Sequence, residues 1–140
     1  MKLLVINGPN LNLLGLREPA IYGSQNYESL LALIRAACDA EGIEVGFAQS
    51  NHEGALVDRI QEAFGKTDAI VINPAAYTHT SVALRDAVSA VSVPVVEVHI
   101  SSILAREEFR HTSLLAPVAA GSIMGFGLNS YRLGVEALLL

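Results

Sequence analysis

Basic residues are scarce in this chain, where nine lysines and arginines against fourteen acidic residues leave a net charge of −5 over 140 residues. Nucleic acids and anionic membranes need a basic face to displace counterions, so neither is an expected partner. Charge of either sign is short as well, at 16% of residues against about a quarter in an average soluble domain. Because 51% of the residues are hydrophobic, that shortage implies that other copies of the chain cover part of the surface. Cysteine is limited to Cys38, which excludes an intrachain disulfide and reads as a buried, inert thiol in a helix. The only lysines are Lys2 and Lys66. Neither stands at the carboxyl end of a predicted strand, so an imine-forming nucleophile is not expected. No apolar run approaches the ~18 residues of a membrane span. The opening Met1-Lys2, four apolar residues and Asn-Gly-Pro is too short for a secretory leader, which makes a cytoplasmic protein the expectation. Neither G-x-G-x-x-G nor G-x-x-x-x-G-K-[ST] occurs, so no dinucleotide or nucleoside triphosphate has an expected cradle. His52, His79, His99 and His111 show no metal-ligand spacing, and no metal site is expected.

What the chain does have begins at its start. Leu3 to Ile6 is an unbroken apolar run, suited to a strand buried on both faces of a parallel sheet. It enters a loop containing Asn7, Gly8, Pro9, Asn10, Asn12, Gly15, Arg17, Glu18, Pro19, Tyr22 and Gly23. Strand-to-helix connections usually take ~2–6 residues, and longer ones are mostly functional or disordered. Folded over, this loop could bring Arg17 to Tyr22. A phenol of ordinary pKa about 10 acts as a base near neutrality only where a nearby cation stabilises the phenolate. The plainer alternative is a surface loop with a solvated arginine and a half-buried tyrosine.

Downstream, Asn26 can cap a helix to about Glu41, with Leu30, Ile34 and Cys38 on one face. Ile43, Val45 and Phe47 alternate with Glu44, Gly46 and Ala48 as in an edge strand. Ser50 and Glu53 have capping-box spacing, which explains the SNHE stretch as a helix start and leaves His52 facing solvent. The next helix carries Leu56, Val57, Ile60 and Phe64. Ala69 to Ile72 is a second unbroken apolar run, followed by Asn73 to Ser81 and a helix that Thr80 or Ser81 can cap. A fourth strand, Val95 to Val98, is interrupted by Glu97. Ala119 to Met124 can be a fifth, and Tyr131, Val135 and Leu138 mark a final helix. Strands alternating with helices predict an α/β fold in a single domain over residues 1–140, a doubly wound five-stranded parallel sheet.

Open parallel sheets bind ligands beyond the carboxyl ends of their strands, where strand order reverses. For the flavodoxin-like order 2-1-3-4-5 the reversal lies between strands 1 and 3. The loops after strands 1, 3 and 4 then become neighbours, bringing Asn10, Arg17 and Tyr22 toward Asn73 and His79 and toward His99 and Ser101. The simple cap after strand 2 is expected to lie outside. A phenol with a cation, a histidine and amide donors suit proton abstraction and elimination on a small polyhydroxylated acid. Glu97 and His99, two apart on a strand, point to one face. They either satisfy each other structurally, or Glu97 holds the His99 imidazole in one tautomer for catalysis. Asn73 with Pro74 could equally end a strand, and His79 could bond a backbone carbonyl.

Three blocks, NGPNLNLLGLREPAIYG at 7–23, NPAAYTHTSVALRDA at 73–87, and EVHIS with AREEFRH at 97–101 and 105–111, closely resemble type II 3-dehydroquinate dehydratase, the cofactor-independent dehydroquinase of the shikimate pathway. The resemblance implies a flavodoxin-like fold and dehydration of 3-dehydroquinate to 3-dehydroshikimate by anti elimination through an enolate. It further implies Tyr22 as the base and Arg17, on a lid over the substrate, as the stabiliser of its phenolate. Asn10 would position a water for the enolate oxygen, and His99, backed by Glu97, would protonate the departing hydroxyl. Asn73 and the amides of Ile100 and Ser101 would hold the substrate carboxylate, with His79 and Arg110 on ring hydroxyls. Residue type alone would assign the carboxylate to Arg110. Asp86 would reach a neighbouring subunit's site, in the homododecamer of stacked trimers that this family forms.

The chain departs from the family at Ser102-Ile103-Leu104, where Asn and His are common, and at Leu114-Leu115-Ala116-Pro117, where a Tyr-Leu-Ser-Pro-like run is usual. These departures touch packing around the site rather than a catalytic group. The rival reading is a flavodoxin-like binding module without activity. A flavin carrier needs a first loop rich in Ser, Thr and Gly, whereas this one has Pro9, Leu11, Leu13, Leu14 and Leu16. A phospho-receiver needs an aspartate where Asn73 stands.

Overall fold

Ala69–Asn73, here β3, is buried at every position, as expected of an apolar run covered on both faces. Lys2–Asn7 (β1) and Val95–His99 (β4) flank it. Glu44–Gln49 (β2) lies outside β1, and Gly121–Met124 (β5) lies outside β4. The sheet is parallel throughout, in the order 2-1-3-4-5. The computed structural model describes residues 1–16 and 25–140, so Arg17 and Tyr22 lie outside the described residues.

Alternation along the central strands divides the core in two. Leu3, Val5, Val71, Val96 and Val98 pack against Leu30, Ile34 and Cys38 of α1 (Tyr27–Ala40) and against Tyr131 and Val135 of α4 (Asn129–Ala137). Ile6, Ile70, Ile72 and Val95 face Leu56 and Ile60 of α2 (Glu53–Ala63) and Leu84 and Val88 of α3 (Val82–Ala90). Two helices therefore cover each face, as crossovers between parallel strands require. Among the described residues no helix is long and apolar enough to cross a membrane.

The helix starts repeat the sequence in two cases and depart from it in one. Asn26 caps α1, its Oδ1 accepting from the Ser29 N–H at 2.9 Å. Ser81 rather than Thr80 caps α3, accepting from the Leu84 N–H at 2.9 Å. Each such cap contributes about 1 kcal/mol. At α2 the expected Ser50–Glu53 box does not form. The capping position is His52, with no side-chain cap, and Ser50 Oγ instead accepts from the His52 N–H at 3.0 Å, closing a turn one residue earlier. Phe64, expected within this helix, stands at its end and is exposed. Strand β5 begins at Gly121 rather than Ala119, because Ala116–Val118 form a 3₁₀ turn and the Ala119 N–H is taken by the carbonyls of Leu115 and Ala116.

The carboxyl ends of β1 and β3 are clamped at Gly8, whose N–H donates to the Asn73 carbonyl at 2.8 Å. A Cβ at Gly8 would stand 2.4 Å from the Pro74 carbonyl oxygen and 2.7 Å from its carbon. Those are backbone atoms, which cannot step aside as a flexible side chain would. Gly8→Ala is therefore expected to force the two loops apart, at a cost of ~1–3 kcal/mol typical of overpacking. Urea denaturation checks it, and an unchanged midpoint would refute the clash.

Candidate active site

The loops that leave β1, β3 and β4 enclose a cleft of about 150 Å³, at the topological reversal where parallel sheets place ligands. The first loop contributes Pro9, Asn10, Leu11 and Leu14, and the second contributes Asn73, Ala75, Ala76 and His79. The third contributes His99, Ile100, Ser101, Ile103, Arg106 and Arg110. Of the expected site residues, Asn10, Asn73, His79, His99, Ile100, Ser101 and Arg110 thus meet in one place. Asp86 sits on the exposed side of α3 and does not line this cleft. Leu14 lines it as a buried residue, and next to it an added Cβ on Gly15 would lie 3.0 Å from the Gln25 carbonyl oxygen.

Backbone strain gathers at the same place. Among the described residues, Asn10 (φ 70°) and Ala75 (φ 53°) are the non-glycine residues with positive φ, a conformation that persists only where surrounding contacts impose it. The Ala75 N–H donates to Asn73 Oδ1 at 3.0 Å, and the Asn10 N–H donates to Asn51 Oδ1 at 3.0 Å. Asn51 belongs to the loop after β2, which strand order alone places outside the site. Its carbonyl also accepts from the Tyr77 hydroxyl at 2.9 Å, and Gln49 Nε2 donates to the Gly8 carbonyl at 3.2 Å. That loop is a brace between the first and third strands' loops. The SNHE stretch hid it, because cap chemistry explained the same residues.

Glu97 is fully buried, and its charge is matched by donors. His99 Nε2 and Thr78 Oγ1 each approach Oε2 at 2.6 Å, and Ser113 Oγ lies 2.8 Å from Oε1. Burial by itself pushes the carboxyl up, but the His99 contact and the hydroxyls of Thr78 and Ser113 outweigh it and hold the group below its ordinary value. Facing an ionised carboxylate, which only accepts, His99 Nε2 must carry a proton. Among the described residues Nδ1 has no partner, and His99 lines the cleft. One nitrogen is locked and the other is left for chemistry.

His79 is fixed in the opposite sense. Its Nδ1 lies 2.9 Å from the Thr112 carbonyl and donates to it. Burial lowers its pKa most, His99 and Arg110 lower it further, and the Thr112 bond and Glu97 oppose them. A neutral ring donating through Nδ1 presents Nε2 as an acceptor suited to a hydroxyl. Among the described residues, nothing accepts from the N–H groups of Ile100 and Ser101, so with the Asn73 amide they form a donor set suited to an anion. Arg110 Nε contacts the Glu107 carboxylate at 3.3 Å. Arg106, not singled out from sequence, also lines the cleft, with Nη1 donating to Ser101 Oγ at 3.3 Å. The AREEFRH block contained the signal, but spacing did not say which arginine turns inward, and both do. No group of three or more His, Cys, Asp or Glu side chains suited to a metal occurs among the described residues.

A family model described as Dehydroquinase class II matches residues 1–139. The chain is 55% identical over 140 residues to the 3-dehydroquinate dehydratase of Lachnoclostridium phytofermentans, covering 99% of this chain and 97% of that one. It is 58% identical over 138 residues to the enzyme of the same name from Caldicellulosiruptor bescii, covering 98% and 95%. Its fold superposes on the crystal structure of a type II dehydroquinase from Butyrivibrio crossotus with a TM-score of 0.98 at 55% identity, covering 100% of this chain and 98% of that one.

Proposed function

The chain belongs to the class II dehydroquinase family, and on that premise we propose that it dehydrates 3-dehydroquinate to 3-dehydroshikimate by anti elimination through an enolate. The Tyr22 phenolate, stabilised by Arg17, removes the proton beside the ketone. Asn10 positions a water against the developing enolate oxygen. The C–O bond to the leaving hydroxyl then breaks as His99 gives that oxygen a proton from Nδ1, so that water departs and Glu97 keeps the ring oriented. Asn73 and the N–H groups of Ile100 and Ser101 hold the substrate carboxylate. His79 and Arg110 take ring hydroxyls.

The observation that carries this reading is the Glu97–His99 pair, 2.6 Å apart, which leaves Nδ1 for the same cleft that Asn73, Ile100 and Ser101 line with donors. An acid beside an anion cradle is the arrangement that eliminating water from a hydroxylated ring acid requires. Proton transfer and hydrogen bonding suffice for every step, so the enzyme works without a cofactor. Residues 1–140 act as one catalytic domain in the cytoplasm, supplying the shikimate pathway of aromatic amino acid biosynthesis. Trimers stack into a homododecamer in which Asp86 reaches a neighbouring subunit's site, consistent with its exposure on α3 and with the low surface charge.

Incubation with 3-dehydroquinate is expected to produce the ultraviolet absorbance of a conjugated enone, with the rate proportional to enzyme. A purified, folded chain that generates no such absorbance would overturn the function.

A further inference from the structure

The sequence reads Tyr131 as a core residue of the last helix, and its ring does sit in the core. Its hydroxyl does something else. Asn7 and Asn73 end β1 and β3 in direct register, and the phenol oxygen of Tyr131 lies between their side chains. The Tyr131 O–H donates to Asn7 Oδ1 at 2.6 Å, and Asn73 Nδ2 donates to the Tyr131 oxygen at 2.9 Å. Asn7 Nδ2 reaches the Tyr27 hydroxyl at 3.4 Å. Tyr131 and Asn7 have no exposed surface, and Asn73 is 3% exposed.

The orientation of the Asn73 amide follows from this network. A backbone N–H can only donate, so the Ala75 N–H, 3.0 Å from Oδ1, identifies the oxygen and puts Nδ2 on the side of Tyr131. That bond alone would leave the amide free to rotate about it. The second bond, from Nδ2 to Tyr131, fixes the plane, and leaves the other Nδ2 hydrogen uncommitted among the described residues. Burial pushes the Tyr131 phenol far above its ordinary value. It stays neutral, and only a neutral phenol both donates to Asn7 and accepts from Asn73.

We propose that Tyr131 is a positioning residue that locks Asn73 as a hydrogen-bond donor and so sets the site's preference for a carboxylate over a neutral substituent on the ring. The inference rests on the dehydratase reading and deepens it. Tyr131 touches no reacting atom; it acts through Asn73 from the far side of the strand ends.

Tyr131→Phe keeps the ring and removes only the hydroxyl. Its steady-state constants for 3-dehydroquinate are to be measured with its binding of two unreactive compounds, a polyhydroxylated cyclohexane carboxylate and the matching carboxamide. KM is expected to rise about 10-fold or more, as a misdirected hydrogen bond to a charged group implies, with kcat changed by less than about threefold. The carboxylate should bind more weakly by the same factor and the carboxamide unchanged. Equal weakening of both compounds would reduce Tyr131 to a packing role, and no weakening of either would refute the inference. Asn7→Ala, which removes the acceptor for the Tyr131 proton, should give the same selective loss to a smaller degree; a non-selective loss would count against the proposal. If neither variant folds, the parent decides, since titrating the carboxylate must shift one of the two Asn73 side-chain amide proton resonances, and a shift of both or neither overturns the lock. A parent that neither turns over 3-dehydroquinate nor binds the carboxylate would instead overturn the dehydratase reading itself.

Discussion

Tyr22→Phe is expected to lower kcat by about 10²–10⁴-fold, the contribution of a positioned general base, while an unreactive ring carboxylate binds within about threefold of the parent. Phenylalanine keeps the ring and deletes the oxygen that, in the proposed mechanism, accepts the substrate proton, so the loss should fall on the chemical step. The expectation depends on charge. An unperturbed phenol titrates near about 10, so only a small fraction is ionised at neutral pH unless a cation lowers that value. Arg17 stands five residues before Tyr22 in the sequence, and the proposed mechanism gives it that role. The measurements are kcat from enone absorbance and binding of the unreactive carboxylate by calorimetry. Turnover near the parental rate would remove Tyr22 as the base. A loss shared equally by turnover and carboxylate binding would make it a binding residue instead.

Much of the scaffold was legible because its signals are local. Unbroken apolar runs marked β1 and β3, four-residue spacing marked the face of α1, and alternation marked β2 as an edge. Given five strands and one strand order, the meeting of three loops followed, and with it the convergence of Asn10, Asn73, His79, His99, Ile100, Ser101 and Arg110. Glu97 was legible for a physical reason, since a charge inside an otherwise apolar strand must find a partner and His99 is two residues on. What escaped depends on contacts between segments far apart in the chain. Thr78 and Ser113 reach Glu97 from two different loops, and neither carries any mark of that in its own neighbourhood. Tyr131 looked like a core aromatic because the ring's periodicity says nothing about where its oxygen ends. Asn51 was absorbed into a capping motif that α2 does not use, although it is Asn51 that holds the strained backbone of Asn10.

Glu97→Gln should reduce kcat by about 10²–10⁴-fold, the range for loss of productive acid–base chemistry, in a protein that still unfolds cooperatively. The donors around the carboxylate cause the loss. Ser113 Oγ accepts from the Leu115 and Ala116 N–H groups at 3.2 and 3.0 Å, so its proton is committed toward Glu97 and cannot turn away. A glutamine has one acceptor oxygen and must direct its NH₂ either at that Ser113 proton or at His99. In the first case two donors collide in a buried site. In the second, His99 Nε2 has to become the acceptor, the proton moves to Nδ1, and the ring is held neutral, a far weaker acid toward the leaving hydroxyl. Stability should change with pH in a matching way. Because the folded carboxyl titrates below its ordinary value of 4.5, its stabilising contribution is complete above about that pH and is lost as acidification passes through the lower folded value. The parent should therefore be the more stable protein at neutral pH, and its advantage over Glu97→Gln should shrink as pH falls below about 4.5. Thermal unfolding across that range, paired with kcat at neutral pH, tests both halves. A parallel pH dependence in the two proteins would contradict the depressed carboxyl, and unchanged turnover would leave Glu97 as a purely structural partner of His99.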